Sequence, residues 1–301
     1  MTRVNVDRGY TELCMATQDE PSVNAAQIEY WNATAGETWA SFQEQLDRQI
    51  APLGLEALRT LAPAPGEAIL DIGCGCGQTS LDLASRVGSE GHVVGVDISA
   101  PMLEVARRRP PADRALQPEY REVDAQDGEL GNAVYDAAFS RFGIMFFSDP
   151  IAAFANIRKA LKPHGRLGFV CWRPLQENIW MLVPLNAALP LLPAPPPADL
   201  FAPGPFAFAD AARVRSILHD AGFGSVTIKP FDVLIGSGDI EQTLALTFKV
   251  GPLGAALREN PQQKDKVADA VREVLTHYAT PAGVLMPAAV WVVLAHNGNT
   301  S

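Results

Sequence analysis

Cysteine is scarce in this chain: four in 301 residues, at positions 14, 74, 76 and 171. So few, so scattered, exclude a disulfide scaffold. Cations are in the minority. Twenty-four lysines and arginines face 34 acids for a net charge of −10, which argues against gripping nucleic-acid backbones. The one basic run, Arg107 to Arg109, reads as cations at a helix C-terminus. No apolar run reaches the length of a membrane span unbroken by proline. The opening MTRVNVDRGYTEL lacks the apolar core of a secretory signal. These absences predict a soluble protein in a reducing compartment, most simply the cytoplasm. What is present, 48% apolar and 19% charged residues, is enough for a large core.

Apolar residues recur at helical intervals over 22–62, and APAPGE (62–67) breaks the chain. From residue 68 short apolar runs alternate with helix-like segments. The runs are 68–72, 93–96, 120–123, 134–139 and 167–172. Such alternation predicts a parallel sheet covered on both faces. Ser99 is placed to cap the helix after the second run, with Pro101 in its first turn. Beyond Trp172 the alternation lapses through a stretch with seven prolines (190–205). It resumes with a helix over 210–221, a strand over 226–228, helices over 239–279 and a last strand over 289–295. The expected organisation is an N-terminal helical lid (1–65) and an α/β domain (66–301) with cap insertions at 173–209 and 236–284.

The stretch LDIGCGCGQT (70–79) lies where the first strand feeds the first helix. Glycines there let the backbone turn tightly and approach a ligand, and the helix offers unpaired N–H groups. The dinucleotide fingerprint G-x-G-x-x-G fits at Gly73 and Gly75 but meets Gln78 at its third glycine; Gly77 comes one residue early. Asp71 precedes the loop, Asp97 ends the second strand, and Asp124 ends the third. A carboxylate after the second strand accepts bonds from ribose hydroxyls. Three acids suit a cofactor with ribose, adenine and a cationic part better than one with pyrophosphate. Cys74-x-Cys76 has neither metal-site nor C-x-x-C spacing, so both read as small side chains between the glycines.

The segments ILDIGCGCGQTSLDLA, VVGVDIS with PMLEVAR, VDAQD, YDAAFSRFGIMFF and ALKPHGRLGFVCW resemble, in order and spacing, the motifs of class I S-adenosylmethionine-dependent methyltransferases. The similarity is greatest to bacterial small-molecule enzymes of the quinone-biosynthesis type (methyltransferase types 11 and 25). It is specific over about 66–172 and loose beyond 210. It implies a Rossmann-like seven-stranded sheet, mostly parallel with the last strand antiparallel, and helices on both faces. It also implies S-adenosyl-L-methionine as cofactor. Asp71, Gly73 and Gly75 would surround its amino-acid part, and Gly77 and Gln78 continue that loop. Asp97 would take the ribose hydroxyls, Ile98 and Met102 flank the adenine, Asp124 and Ala125 read its edge, and Ser140 face the methionine part. KPHG departs from the usual pair of glycines at His164, a turn remote from the cofactor.

Methyl transfer is an in-line displacement that depends mainly on alignment. Of five histidines, His277 is the least implausible base, and none stands out. Trp31 and Trp39 are candidates for closing over the sulfonium, with plain helix packing as the alternative. Arg141, Phe142 and Met145 follow the fourth strand, where methyl acceptors dock. Arg141 either orients the acceptor or makes a structural salt bridge. An apolar, proline-stiffened cap suits a small, fairly apolar acceptor; the same surface could instead serve a homodimer. Competing readings are an NAD-dependent oxidoreductase, disfavoured by Gln78, and a catalytically silent cofactor-binding subunit.

Overall fold

The computed structural model describes residues 24–111, 113, 116–194, 199 and 201–298. The polar N-terminal stretch, Cys14 and part of the proline-rich run lie outside the described residues. In chain order the elements are α1 (Ala25–Asn32), α2 (Thr34–Ser41), α3 (Gln43–Leu61), β1 (Ala68–Ile72), α4 (Gln78–Val87), β2 (His92–Asp97), α5 (Ala100–Arg108), β3 (Glu119–Glu122), β4 (Tyr135–Arg141), α6 (Pro150–Ala160) and β5 (Leu161–Trp172). There follow α7 (Ile179–Ala188), α8 (Ala211–Asp220), β6 (Val226–Ile235), α9 (Ile240–Thr247), α10 (Gly251–Glu259), α11 (Lys264–Thr276), β7 (Ala279–Thr280), β8 (Gly283–Val284) and β9 (Met286–His296).

Seven strands form one sheet in the order β3-β2-β1-β4-β5-β9-β6, and β7 pairs with β8 apart from it. Pairs from β3 through β5 are parallel, whereas β9 runs antiparallel to both β5 and β6. The chain builds outward from β1 to β3, then returns to place β4 on the other side of β1. That reversal opens a crevice beyond the carboxyl ends of β1 and β4, where open α/β sheets bind ligands. The sheet is buried on both faces, so its central strands are nearly continuous apolar runs: Ile69, Leu70, Ala137, Ala138, Phe139 and Phe169 are wholly buried.

The apolar stripe of α3 (Leu53, Ala57, Leu58, Leu61) joins this core, with Leu61 seated over Gly168 of β5. Within the segment expected as a lid, α3 packs into the core, while α1 and α2 border the crevice together with residues of α7 and α10. The insertion at 236–284 carries α9 to α11, whose Leu253, Val267, Val271 and Leu275 form a second apolar cluster with Ala188 of α7. Three strands are longer than their apolar runs suggest. β5 begins at Leu161 and carries Pro163 and His164 through an irregularity in its pairing with β4. β6 continues past Pro230 and β9 starts at Met286. No helix of the described residues is long and apolar enough to cross a membrane.

Candidate active site

The glycine loop leaves β1 through three residues in the left-handed region: Gly73, Gly75 and Gly77 have φ of 63°, 53° and 81°. A Cβ on Gly73 would stand 2.8 Å from the Cα of Gly143, and one on Gly77 would stand 2.5 Å from the Tyr120 hydroxyl. Side chains are thus barred by both conformation and space. Asp97 ties two loops together: Oδ2 accepts from the Gly75 N–H (2.8 Å) and Oδ1 from the Ser99 N–H (2.8 Å). Burial raises its pKa and those backbone donors oppose the shift.

Asp71 lies beneath this loop. Its Oδ2 accepts from Thr79 Oγ1 and Ser80 Oγ, both at 2.6 Å, while its buried Oδ1 has no partner. Burial pushes its pKa up to about 6, against the pull of the two hydroxyls. Cys74 and Cys76 are buried free thiols. Burial drives the Cys74 pKa well up and that of Cys76 to about 12, so both are thiols rather than thiolates at neutral pH. Among the described residues no group of His, Cys, Asp or Glu is placed to hold a metal.

A cavity of about 390 Å³ fills the crevice, within the usual range for small-molecule sites. Its lining includes Gly73 and the carboxylates Asp97 and Asp124, with Ile98, Met102 and Ala125. It also includes the rings of Phe142, Phe146, Trp172 and Trp180 with Met145, and the cations Lys249 and Arg258. Trp31 and Trp39 roof it, and Arg141 also lines it. Phe142 has φ 66°, a strained setting for a bulky residue, and its ring stacks on Trp172 at 4.1 Å and 11°.

Asp71, Gly75, Gly77, Gln78, Ser140 and His277 are not among the lining residues. Asp71 is turned into the core. Gly75 sends its amide to Asp97. Gly77 sits against Tyr120 and Ala106. The Gln78 amide donates to Asp82 and meets Arg109. Ser140 donates to the Ile72 carbonyl at 2.7 Å, stitching β4 to β1. His277 is exposed at the end of α11, its Nδ1 beside the Val274 carbonyl.

The roof is fastened by side chains. Asn32 donates to the Ile98 carbonyl (2.7 Å) and accepts from the Ala100 N–H (2.9 Å). Ser99 Oγ donates to the Trp31 carbonyl at 2.8 Å, and Asn24 donates to Asp124 Oδ2 at 3.0 Å. The expectation that Ser99 caps α5 is corrected here. Its hydroxyl faces the roof, and Asn32 takes the first amide of the helix instead. Trp31 meets Phe146 edge-on at 4.9 Å and Trp39 at 6.1 Å.

Arg141 pairs with Asp47 of α3 at 2.6 Å, and Asp47 also takes Arg109 at 3.2 Å. Arg109 donates in turn to the Cys76 carbonyl at 2.8 Å. It is therefore more than a cation at a helix end: it clamps the glycine loop. Asp47, Gln49, Trp172 and Trp180 were not anticipated from sequence. Gln49 had one visible signal, a polar residue in the apolar stripe between Leu46 and Ile50.

Residues 69–165 match the family model of a methyltransferase domain. An O-methyltransferase of Pyrenophora dematioidea is 31% identical over 141 residues, 46% of this chain and 50% of that protein. The nocamycin O-methyltransferase of Saccharothrix syringae is 29% identical over 240 residues, 76% of this chain and 85% of that protein. The chain spans about half the length of the first curated relatives it matches. Among solved structures, phosphoethanolamine N-methyltransferase 2 of Haemonchus contortus, in complex with phosphomonomethylethanolamine and S-adenosylhomocysteine, aligns with a TM-score of 0.55. It shares 17% identity and covers 93% of this chain and 60% of that one, a likeness of fold.

Proposed function

We propose that the chain is a class I S-adenosylmethionine-dependent methyltransferase that methylates a small, largely apolar organic molecule. The observation that carries this reading is a cavity whose lining combines the carboxylates of Asp97 and Asp124 with a set of aromatic rings.

The residues fit S-adenosyl-L-methionine. Each Asp97 oxygen accepts one backbone N–H, which leaves lone pairs for ribose hydroxyls and fixes the carboxylate in place. Ile98 and Met102 supply apolar faces for a base, and Asp124 with Ala125 stands at its edge. At Gly73 the missing side chain lets the backbone border the amino-acid part. Asp71 acts indirectly, anchoring the first turn of α4 through Thr79 and Ser80. When bound, the cofactor supplies an electrophilic methyl group on a cationic sulfur.

The chain's own contribution is to hold, orient and exclude water. Trp31 and Trp39 close the cavity, and a ring face attracts a cation. No histidine lines the cavity, and the Arg141 guanidinium is engaged by Asp47. Alignment of the two reactants is therefore the main source of rate, worth ~7–11 kcal/mol in favourable cases. The acid excess and the apolar chamber support a small molecule rather than a nucleic acid as acceptor.

A thermal melt with S-adenosylhomocysteine or NAD tests the reading. Ligand at a hundred times its Kd adds about 2.7 kcal/mol, a rise in Tm of roughly 4 °C for a chain of 301 residues. We expect that rise with S-adenosylhomocysteine and none with NAD. The reverse pattern would overturn the proposal in favour of an oxidoreductase.

A further inference from the structure

Two buried polar atoms on residues that line the cavity have no hydrogen-bond partner: Oε1 of Gln49 and Nε1 of Trp180. Gln49 is 4% exposed, on the buried stripe of α3. Leaving such atoms unpaired is costly, and native structures do so for a reason. Both residues line the main cavity, and both also line a small recess of about 10 Å³ with Ser237, Thr243 and Thr247. That volume is close to the space of one oxygen-sized group. Two of the recess's three hydroxyls pair within the fold: Ser237 Oγ donates to Thr243 Oγ1 at 3.1 Å, and Thr243 Oγ1 donates to the Gly238 carbonyl at 3.5 Å. Among the fully buried atoms around the recess, the unmet demand is one acceptor and one donor.

We propose that Gln49 and Trp180 form a neutral hydroxyl-recognition site that anchors the methyl acceptor by an oxygen away from the reacting atom. A hydroxyl meets both demands at once, donating to Gln49 Oε1 and accepting from the Trp180 indole N–H. No cation or carboxylate lines the recess, so the group recognised is an uncharged alcohol or phenol rather than an anion. Trp172 and Phe142, stacked beside Trp180, provide flat faces for a planar ring. The substrate class is then a planar apolar molecule with at least one free hydroxyl besides the methylated position. Specificity follows from the pair, because a molecule lacking that hydroxyl leaves both atoms unpaired.

This inference rests on the methyl-transfer reading, and the experiment separates the two. Protein saturated with S-adenosylhomocysteine is titrated by calorimetry with 2-naphthol and with 2-methylnaphthalene, its near-isostere without the hydroxyl. The expected result is a preference of about tenfold for 2-naphthol, the usual size of such a pairing. The preference falls to about onefold in Gln49→Leu, and by several-fold in Trp180→Phe. Affinity for S-adenosylhomocysteine and Tm stay within error of the parent, which a purely structural glutamine would not allow. Equal binding of the two probes, binding of neither, or a preference that survives both substitutions overturns the proposal. Survival would mean that an internal water satisfies the pair. If Gln49→Leu does not fold, Trp180→Phe alone decides. Protein that never binds S-adenosylhomocysteine removes the methyl-transfer reading itself, whereas binding without probe preference removes only the hydroxyl site.

Discussion

Asp71 is a carboxylate shut in the core with one oxygen unpaired, and this has a consequence for stability. Its folded pKa of about 6 lies above the ordinary 3.8 because burial disfavours the charged form. The folded state thus holds the proton more tightly than the unfolded chain. The penalty is absent below the unfolded pKa, grows as pH rises, and is complete above about 6. Lowering pH from 7 to 5 should therefore gain about 1 kcal/mol from this group. Denaturant melts at the two pH values check this, with Asp71→Asn flattening the difference. A parent that loses stability over that interval refutes it. His164 offers a second test. It is exposed at φ 65°, where a Cβ costs about 1–2 kcal/mol and glycine's extra unfolded entropy takes back about 0.5–1 kcal/mol. His164→Gly should raise stability by up to about 1 kcal/mol, read from the same melts. At this scale the sequence disclosed residues whose type announces their chemistry, such as the loop glycines and Asp97. It did not disclose Gln49, whose interest comes from partners it lacks, or the outward turn of Ser99, which depends on Asn32 arriving from another helix.

At the level of elements, the glycine loop is held from outside. Asp47 on α3 pairs with Arg141 at the end of β4 and Arg109 at the end of α5, and Arg109 grips the loop at the Cys76 carbonyl. These side chains are mostly covered, 12–21% exposed, so their pairing lies between the surface and the fully buried cases. Asp47→Asn should cost about 2 kcal/mol of stability and loosen the loop. Affinity for S-adenosylhomocysteine should drop roughly five- to tenfold. Calorimetry on the folded variant measures it, and undiminished affinity would leave the cluster a purely structural brace. The helix α4 and strands β1 and β2 were legible to within a residue, because capping glycines and turn residues bound them. The apolar runs 167–172 and 226–228 stop short of Pro163 and Pro230, which β5 and β6 take in. Proline is expected to end a strand, yet β6 pairs only with β9 and keeps one edge free, where proline removes no ladder bond. The pairing, not the local sequence, decides how far such a strand runs.

Over the whole molecule, the cavity is closed by its least anchored part. The sheet and α3 are rooted in the main core, whereas α1 buries no residue of its own. It is held through Asn24, the Trp31 carbonyl and Asn32 to the loops after β2 and β3, which also carry Asp97 and Asp124. Regions with few buried contacts open at low free-energy cost, so α1 and α2 should lift often enough to admit a ligand. A ligand in contact with Asp97, Trp31 and Trp39 favours the closed state by its own differential affinity. Amide exchange in 25–41 should therefore be fast in the free protein and slow by about ten- to a hundredfold with S-adenosylhomocysteine, while the central strands, already protected, change little. Trp39→Ala should weaken binding by roughly three- to tenfold, since a ring beside a cationic or apolar ligand contributes about 1 kcal/mol, and should reduce the protection of α1 with it. Hydrogen-exchange mass spectrometry reads both effects. Equal exchange in 25–41 with and without ligand would make these helices a fixed wall, and the way into the cavity would then have to lie at the cap formed by α7 and α10.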